Sequence, residues 1–218
     1  MTRKAILIGA SGLIGSYLLQ LILKSSEYSE VLVFSRSPLS ISDPKLKQQI
    51  IDFDAITRYG SLINADVVFS CLGSTRNKTP EKSQYKKIDM DYPLTFAKLG
   101  LEGGVSQFHI ITSLDANPES SSSYLKLKGQ LEEELKKLPF QSLNIYQPSY
   151  LEGVRNETRI IDQLMQPLMR FINPLLTGKL KKYRSIKASD VAKAMFNQSI
   201  KDLKGTFVYT SNQIKELV

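Results

Sequence analysis

Short runs of aliphatic and β-branched residues recur along this chain, separated by longer stretches in which apolar residues return every three or four positions. Lys4–Gly9 is the first short run and Leu13–Lys24 the first stretch of helical period. Val31–Ser35 reads as a second strand. Gln49–Phe53 reads as a third, ending in the acidic pair Asp52 and Asp54. Asp66–Leu72 is a fourth, apolar almost throughout, as suits a strand covered on both faces. A long helix is predicted from Ser83 to Glu102, stopped by Gly103 and Gly104. Gln107–Ser113 follows as a fifth strand, and Ser123–Leu138 as a helix dense in lysine and glutamate, closed by Pro139. Ser142–Tyr146 is a sixth strand, ended by Pro148.

The last third is less regular. Pro167 and Pro174 divide Gln163–Leu176 into two short helical pieces at best. Ser189–Lys201 is predicted as a helix with Ser189 as N-cap and Asp190 in its first turn. Thr206–Thr210 is a final strand. Strands alternating with helices predict an α/β fold, a doubly wound parallel sheet of Rossmann type flanked by helices. The expectation is one domain over residues 1–218, with a small irregular C-terminal region, residues 150–187, covering the substrate. Right-handed crossovers bring the carboxyl ends of the strands to one edge, where ligands bind.

Composition adds few constraints. Hydrophobic residues make up 42 % of the chain and charged residues 23 %, the usage of an ordinary folded domain. The apolar N-terminal run, Ala5–Leu23, contains three glycines and lacks a small-residue cleavage site. It is therefore read as neither signal peptide nor membrane span. The single cysteine, Cys71, excludes an internal disulfide and a cysteine-rich zinc site, and makes a reducing, cytoplasmic location the expectation. The net charge of +8 is the one unusual figure. It fits an anionic ligand, a nucleic-acid or membrane surface, or simply a lysine-rich exterior. The densest basic stretch, Lys179–Lys187, holds one aromatic residue, and no nucleic-acid partner is expected from it.

Candidate chemistry begins at Gly9-Ala10-Ser11-Gly12-Leu13-Ile14-Gly15, between the first strand and the first helix. Gly9 permits a tight turn off the strand, Gly12 a close approach of backbone to a pyrophosphate, and Gly15 close packing of helix on sheet. The pyrophosphate would rest on N–H groups at the positive end of the helix. A glycine pattern alone is weak, but this one stands between a strand and an apolar helix. The second strand ends Phe34-Ser35-Arg36, where NAD-binding proteins usually carry an acid for the ribose hydroxyls. Ser35 and Arg36 suit a 2′-phosphate instead, so NADPH is favoured over NADH, the alternative being a solvated Arg36. Asp52 is placed to accept from the adenine amino group beside Phe53, and Cys71, Leu72 and Gly73 leave the fourth strand at the same edge.

Tyr124 and Lys128 stand at i and i+4 of a predicted helix, hence on one face. Reduction of a carbonyl needs a proton donor for the developing alkoxide. A phenol with its free pKa of about 10 is a poor one until a neighbouring ammonium favours the phenolate. Ser113, at the end of the preceding strand, can orient the substrate oxygen. In a lysine-rich chain such a pair also arises by chance as an exposed helical pair; its position after the serine and the glycine turn raises it.

Together these residues resemble the short-chain dehydrogenase/reductase superfamily, and most closely its atypical branch of Tat-interacting-protein-like oxidoreductases. The resemblance rests on GASGLIG, on Ser70–Lys78, on Tyr85–Pro93, and on the run ITSLDANPESSSSYLKLKGQLEEEL. Gln147–Arg155, Ile186–Met195 and Tyr209–Leu217 extend it. It implies NADP(H) binding through the glycine turn (Gly9, Ser11, Gly12, Leu13, Ile14 and Gly15) and Arg36. It also implies a catalytic Ser113, Tyr124 and Lys128, with Pro148 and Ser149 lining the nicotinamide side. Two departures stand out: Asp89 where many members carry Asn, and Gln147 where an arginine is common.

His109, mid-strand in an apolar run, reads as a core residue and Cys71 as a small buried one. Glu132, Glu133 and Glu134 read as a solvated face, and no metal-ligand spacing is present. The favoured function is an NADP(H)-dependent oxidoreductase of a small carbonyl or alcohol, acting as monomer or homodimer. The alternative is a non-catalytic NADP(H)-binding redox-sensing, regulatory or assembly protein.

Overall fold

The computed structural model describes residues 2–74, 79–153 and 172–218. Part of the expected covering segment, including Pro167 and the first of its two helical pieces, lies outside the described residues.

The expected alternation is present. Strands β1 (Arg3–Ile8), β2 (Tyr28–Ser35), β3 (Leu46–Ile50), β4 (Val67–Ser70), β5 (Gln107–Ile111) and β6 (Ser142–Gln147) lie in one sheet with a late strand, Gly205–Thr210. The order across the sheet is β3-β2-β1-β4-β5-β6 and then that late strand, all parallel. This is the doubly wound arrangement of the Rossmann fold, whose order reverses between β1 and β4 and leaves a crevice at their carboxyl ends.

Two apolar layers cover the sheet. On one face, α1 (Leu13–Lys24) and the later helix Ala188–Ser199 pack on Ala5, Leu7, Val31, Val33, Val67 and Phe69. On the other face, the alternate residues Ile6, Ile8, Val68, Phe108 and Ile110 meet Phe96 and Ala97 of one helix and Leu131 and Leu135 of another. The period-2 alternation of strand side chains thus feeds two cores at once.

The long helix expected over Ser83–Glu102 is a continuous helical run in three parts: α2 (Lys82–Lys86), a π-helical turn (Lys87–Asp91) and α3 (Tyr92–Glu102). Beyond Gly103, Gly104 has φ +81, the left-handed stop that glycine tolerates. Next comes α4 (Ser123–Lys136), two residues shorter than predicted. A pair of two-residue strands, β7 (Leu151–Glu152) and β8 (Ile186–Lys187), brackets the covering segment. The chain ends with α5 (Ala188–Ser199), β9 (Gly205–Thr210) and α6 (Ser211–Glu216).

Two boundaries differ from expectation. β3 occupies Leu46–Ile50 rather than Gln49–Phe53. It is an edge strand: its three central residues, Lys47, Gln48 and Gln49, are polar and none of the five is buried, while Ile51 and Phe53 bury under α3. Ser189 is not the N-cap of α5: Lys187 holds that position, because β8 runs directly into the helix, although Asp190 does lie in the first turn.

Candidate functional site

The crevice between β1 and β4 is built by the glycine turn. Gly9 has φ +83, and a Cβ there would stand 2.6 Å from the Cys71 carbonyl carbon and oxygen. The Gly12 amide donates to the Gly9 carbonyl at 3.0 Å, closing the turn. A Cβ on Gly15 would fall 2.2 Å from the Gly9 carbonyl oxygen, so only glycine lets α1 start this close to β1. Gly12 is the N-cap of α1. The helix has no side-chain cap and no acid in its first turn, which leaves its positive end to an anion. Ser11 is exposed at the rim and Ile14 is buried beneath it, while the Leu13 side chain packs where Gly153 lacks one. This cradle fits a dinucleotide pyrophosphate.

At the end of β2, Ser35 is half-buried, its hydroxyl donating to the Ser37 carbonyl at 2.8 Å, and Arg36 is exposed. Asp52 is exposed and caps the following 3-10 turn by accepting from the Asp54 amide at 3.0 Å. The Phe53 ring is buried against Tyr92 and Phe96, so that residue offers a ligand only its backbone. After β4, Cys71 and Leu72 are half-buried and Gly73 is exposed. Burial pushes the Cys71 thiol up, away from the reactive thiolate.

On α4, Lys128 faces inward and Tyr124, one turn earlier, is half-buried. The Lys128 ammonium lies 2.8 Å from a carboxylate oxygen of Asp89 in the π-helical turn. The other Asp89 oxygen accepts from the Ser74 amide at 2.8 Å. The lysine is therefore held against the loop that leaves β4 at the crevice.

Ser113 lies two residues beyond β5, in a loop that packs closely on α4. A Cβ on Gly129 would stand 2.3 Å from Asn117 and Pro118 backbone atoms, and the Asn117 amide donates to the Leu125 carbonyl at 3.1 Å. Asp115 in that loop adopts φ +59. Lys182, 2.8 Å away, holds its carboxyl below the usual range and ties the Gly178–Tyr183 turn to the serine loop. The Leu114 amide donates to the Pro148 carbonyl at 3.1 Å, and the Ser149 amide to the Ser211 hydroxyl at 2.7 Å. Ser113, Pro148 and Ser149 thus share the carboxyl edge of β5 and β6.

Glu132 corrects the expected solvated face. It is 3 % exposed. It accepts from the Thr112 hydroxyl at 2.5 Å, and from the Gln147 amide at 3.0 Å through each oxygen. Burial, with neutral donors only, raises its pKa. Its position four residues after Lys128 and eight after Tyr124 was the available signal. Glu133 and Glu134 do sit outside, pairing with Lys136 and Lys137. His109 is fully buried between Tyr146 and Gln107, as expected of a core residue. No group of residues suited to a metal ion occurs among the described residues.

Comparison with known proteins agrees with this fold. The model of the NAD dependent epimerase/dehydratase family matches residues 5–198. Protein HTATIP2 of Rattus norvegicus is 29 % identical over 97 % of this chain and 87 % of its own. The mitochondrial protein FMP52 of Coccidioides immitis is 27 % identical over 92 % and 87 %. Among solved structures, the enzyme WbmH of Bordetella bronchiseptica, in complex with NAD+, superposes with a TM-score of 0.73 at 16 % identity, over 99 % of this chain and 78 % of that one. A short chain dehydrogenase family protein from Francisella tularensis gives a TM-score of 0.65 at 16 % identity, over 95 % and 96 %. One expectation is overturned. The cytoplasmic location inferred from cysteine usage conflicts with the fungal relatives, which are named as mitochondrial proteins. Cysteine content reports redox poise and does not distinguish reducing compartments. No helix among the described residues is long and apolar enough to cross a membrane.

Proposed function

This chain belongs to the NAD dependent epimerase/dehydratase family, and on that premise we propose that it is an NADP(H)-dependent oxidoreductase of a small carbonyl or alcohol substrate. The observation that carries the reading is the placement of Lys128, buried on α4 and bound through Asp89 to the loop after β4. It ties the Lys128 end of α4 to the loop after β4, whose first residues pack on Gly9, and so supports a dinucleotide lying along that edge.

Gly9, Gly12 and Gly15 would seat the pyrophosphate, and Ser35 and Arg36 the 2′-phosphate that distinguishes NADP from NAD. Asp52, Phe53, Cys71, Leu72 and Gly73 would border the adenine and ribose, with Pro148 and Ser149 on the nicotinamide side. The reduced nicotinamide supplies hydride when bound. Tyr124 would then give its proton to the substrate oxygen, Ser113 would orient that oxygen by a hydrogen bond, and Lys128 would favour the phenolate left behind.

Titration with NADPH and NADH, followed by the fluorescence of the reduced nicotinamide, tests the cofactor half. Tight NADPH and weak NADH binding is expected, and equal affinities would remove Arg36 from the account. A screen of aldehydes and ketones then tests turnover. Tyr124→Phe should abolish it with cofactor affinity nearly intact, and undiminished activity in that variant would sink the mechanism.

A second reading keeps the cofactor and drops the reaction: a redox-sensing, regulatory or assembly protein. The Asp89 carboxylate favours it, because it compensates the charge that Lys128 would otherwise direct at Tyr124. Its mark is NADPH binding with no turnover across the whole screen.

A further inference from the structure

Among the described residues, three exposed large apolar side chains fall within nine residues of each other: Leu175 at 76 %, Leu180 at 51 % and Tyr183 at 38 %. Leu175 closes a 3-10 turn, and Leu180 and Tyr183 belong to a second one, Gly178–Tyr183. Residues three apart eclipse one another on such a turn, so Leu180 and Tyr183 share a face. Lys179 and Lys182 flank that face as a second eclipsed pair.

The turn is anchored from behind. It packs on α6, and Lys182 reaches the Asp115 carboxylate at 2.8 Å while standing 4.8 Å over the Tyr183 ring. What faces outward is therefore apolar and basic together. Between Leu175 and Lys187 the chain carries five cationic residues, the last at Lys187, and no acidic one.

We infer that the Leu175–Arg184 turn is a contact surface for an anionic lipid bilayer, with Leu175 and Leu180 entering the headgroup boundary and the exposed Lys179 and Lys181 meeting the lipid charges, while Tyr183 and Arg184 brace the turn through Asp115 and the Leu176 carbonyl. Protruding leucines ringed by lysines are the chemistry of interfacial attachment. Other occupants fit less well. A single-stranded nucleic acid would need a stacking platform, and the one aromatic ring here already has an ammonium over it. A second copy of the chain would bring two strips of like charge together. None of the residues that carry the inference belongs to the glycine turn, so it does not depend on the cofactor assignment.

Co-sedimentation of the full chain with phosphatidylcholine vesicles, with and without phosphatidylserine, tests it. Binding is expected only with the anionic lipid and should weaken as salt rises. Replacing both Lys179→Gln and Lys181→Gln should weaken it about 25-fold, at about five-fold per charge. Leu180→Ser should weaken it roughly ten-fold through lost apolar burial. All three side chains are exposed, so the melting temperature should not move. Failure to bind anionic vesicles, equal binding to neutral ones, or full binding by Leu180→Ser would each overturn the inference. So would self-association or RNA binding through these residues with no vesicle binding.

Discussion

The ammonium of Lys128 and the carboxylate of Asp89 lie 2.8 Å apart, with only 4 % and 1 % of their side chains exposed. Two charges removed from water in this way depend on each other. Asp89 lies in the π-helical turn that interrupts an otherwise α-helical run.

Removing one partner of such a pair strands the other. Asp89→Asn keeps an acceptor for the Ser74 amide but leaves the Lys128 charge unpaired, and should cost about 3–5 kcal/mol of stability. The double variant Asp89→Asn, Lys128→Met should recover most of that loss. Urea denaturation of the four proteins gives the coupling directly. A cost under about 1 kcal/mol for Asp89→Asn would refute the mutual dependence of the two residues.

The glycines of the turn separate folding from binding. Gly15→Ala puts a methyl group 2.2 Å from a backbone oxygen that has nowhere to go, and should destabilise the fold by roughly 3 kcal/mol, well beyond alanine's gain in helix propensity. At Gly12 the nearest atom to a Cβ is 3.2 Å away. Gly12→Ala should therefore melt within a few degrees of the parent while losing at least ten-fold in NADPH affinity. Thermal melts beside fluorescence titrations distinguish the two. Equal effects of both variants on melting would refute the division of roles.

Most of the fold was legible because its central strands are apolar on both faces and the helices between them are periodic. Legibility failed where tertiary contact outweighs local pattern. The edge strand β3 has the polar residues of an exposed element, and the apolar signal beside it came from Ile51 and Phe53, which bury elsewhere. At the site, the glycine turn was readable because sterics leave no other residue at Gly9 and Gly15. Glu132 was misread because three consecutive glutamates look alike in sequence, and only the helical phase set by Lys128 tells the inward one from its neighbours. Nothing local announced that Asp89 would meet Lys128, since the two lie 39 residues apart on separate helices.

Burial holds the His109 pKa down to about 3, against an ordinary value of 6.5. A depressed histidine contributes stability that is full above the unfolded value and declines as pH falls toward the folded one. The protein should lose about 1.4 kcal/mol per pH unit below 6.5 on this account. His109→Phe should abolish that slope, whatever it costs in unpaired Tyr146 and Gln107 side chains. Denaturant midpoints between pH 4 and 7 measure it, and an unchanged slope in the variant would exclude His109 as the source.

Glu132 acts with the opposite sign. Its folded pKa is raised above the 4.5 of an ordinary glutamate, so the native state keeps a proton that the unfolded chain has released. Stability on its account is greatest below 4.5, falls as pH rises toward the folded value, and is level beyond. Glu132→Gln cannot titrate, and it still offers an acceptor to Thr112 and, after an amide flip, a donor to the Gln147 oxygen. The stability of the parent minus that of this variant should therefore decline as pH rises from 4.5 and then flatten. A constant difference would mean that the carboxyl titrates alike in both states, and a rising one that folding lowers its pKa; either would overturn the assignment. Glu132→Ala leaves the Gln147 amide without its acceptor and the Thr112 hydroxyl only a long bond to the Tyr146 carbonyl at 3.4 Å, and should cost about 2–4 kcal/mol at neutral pH, well above the cost of Glu132→Gln. Because Thr112 adjoins Ser113 and Gln147 adjoins Pro148, the alanine variant should also weaken NADPH binding, while the glutamine variant should restore it.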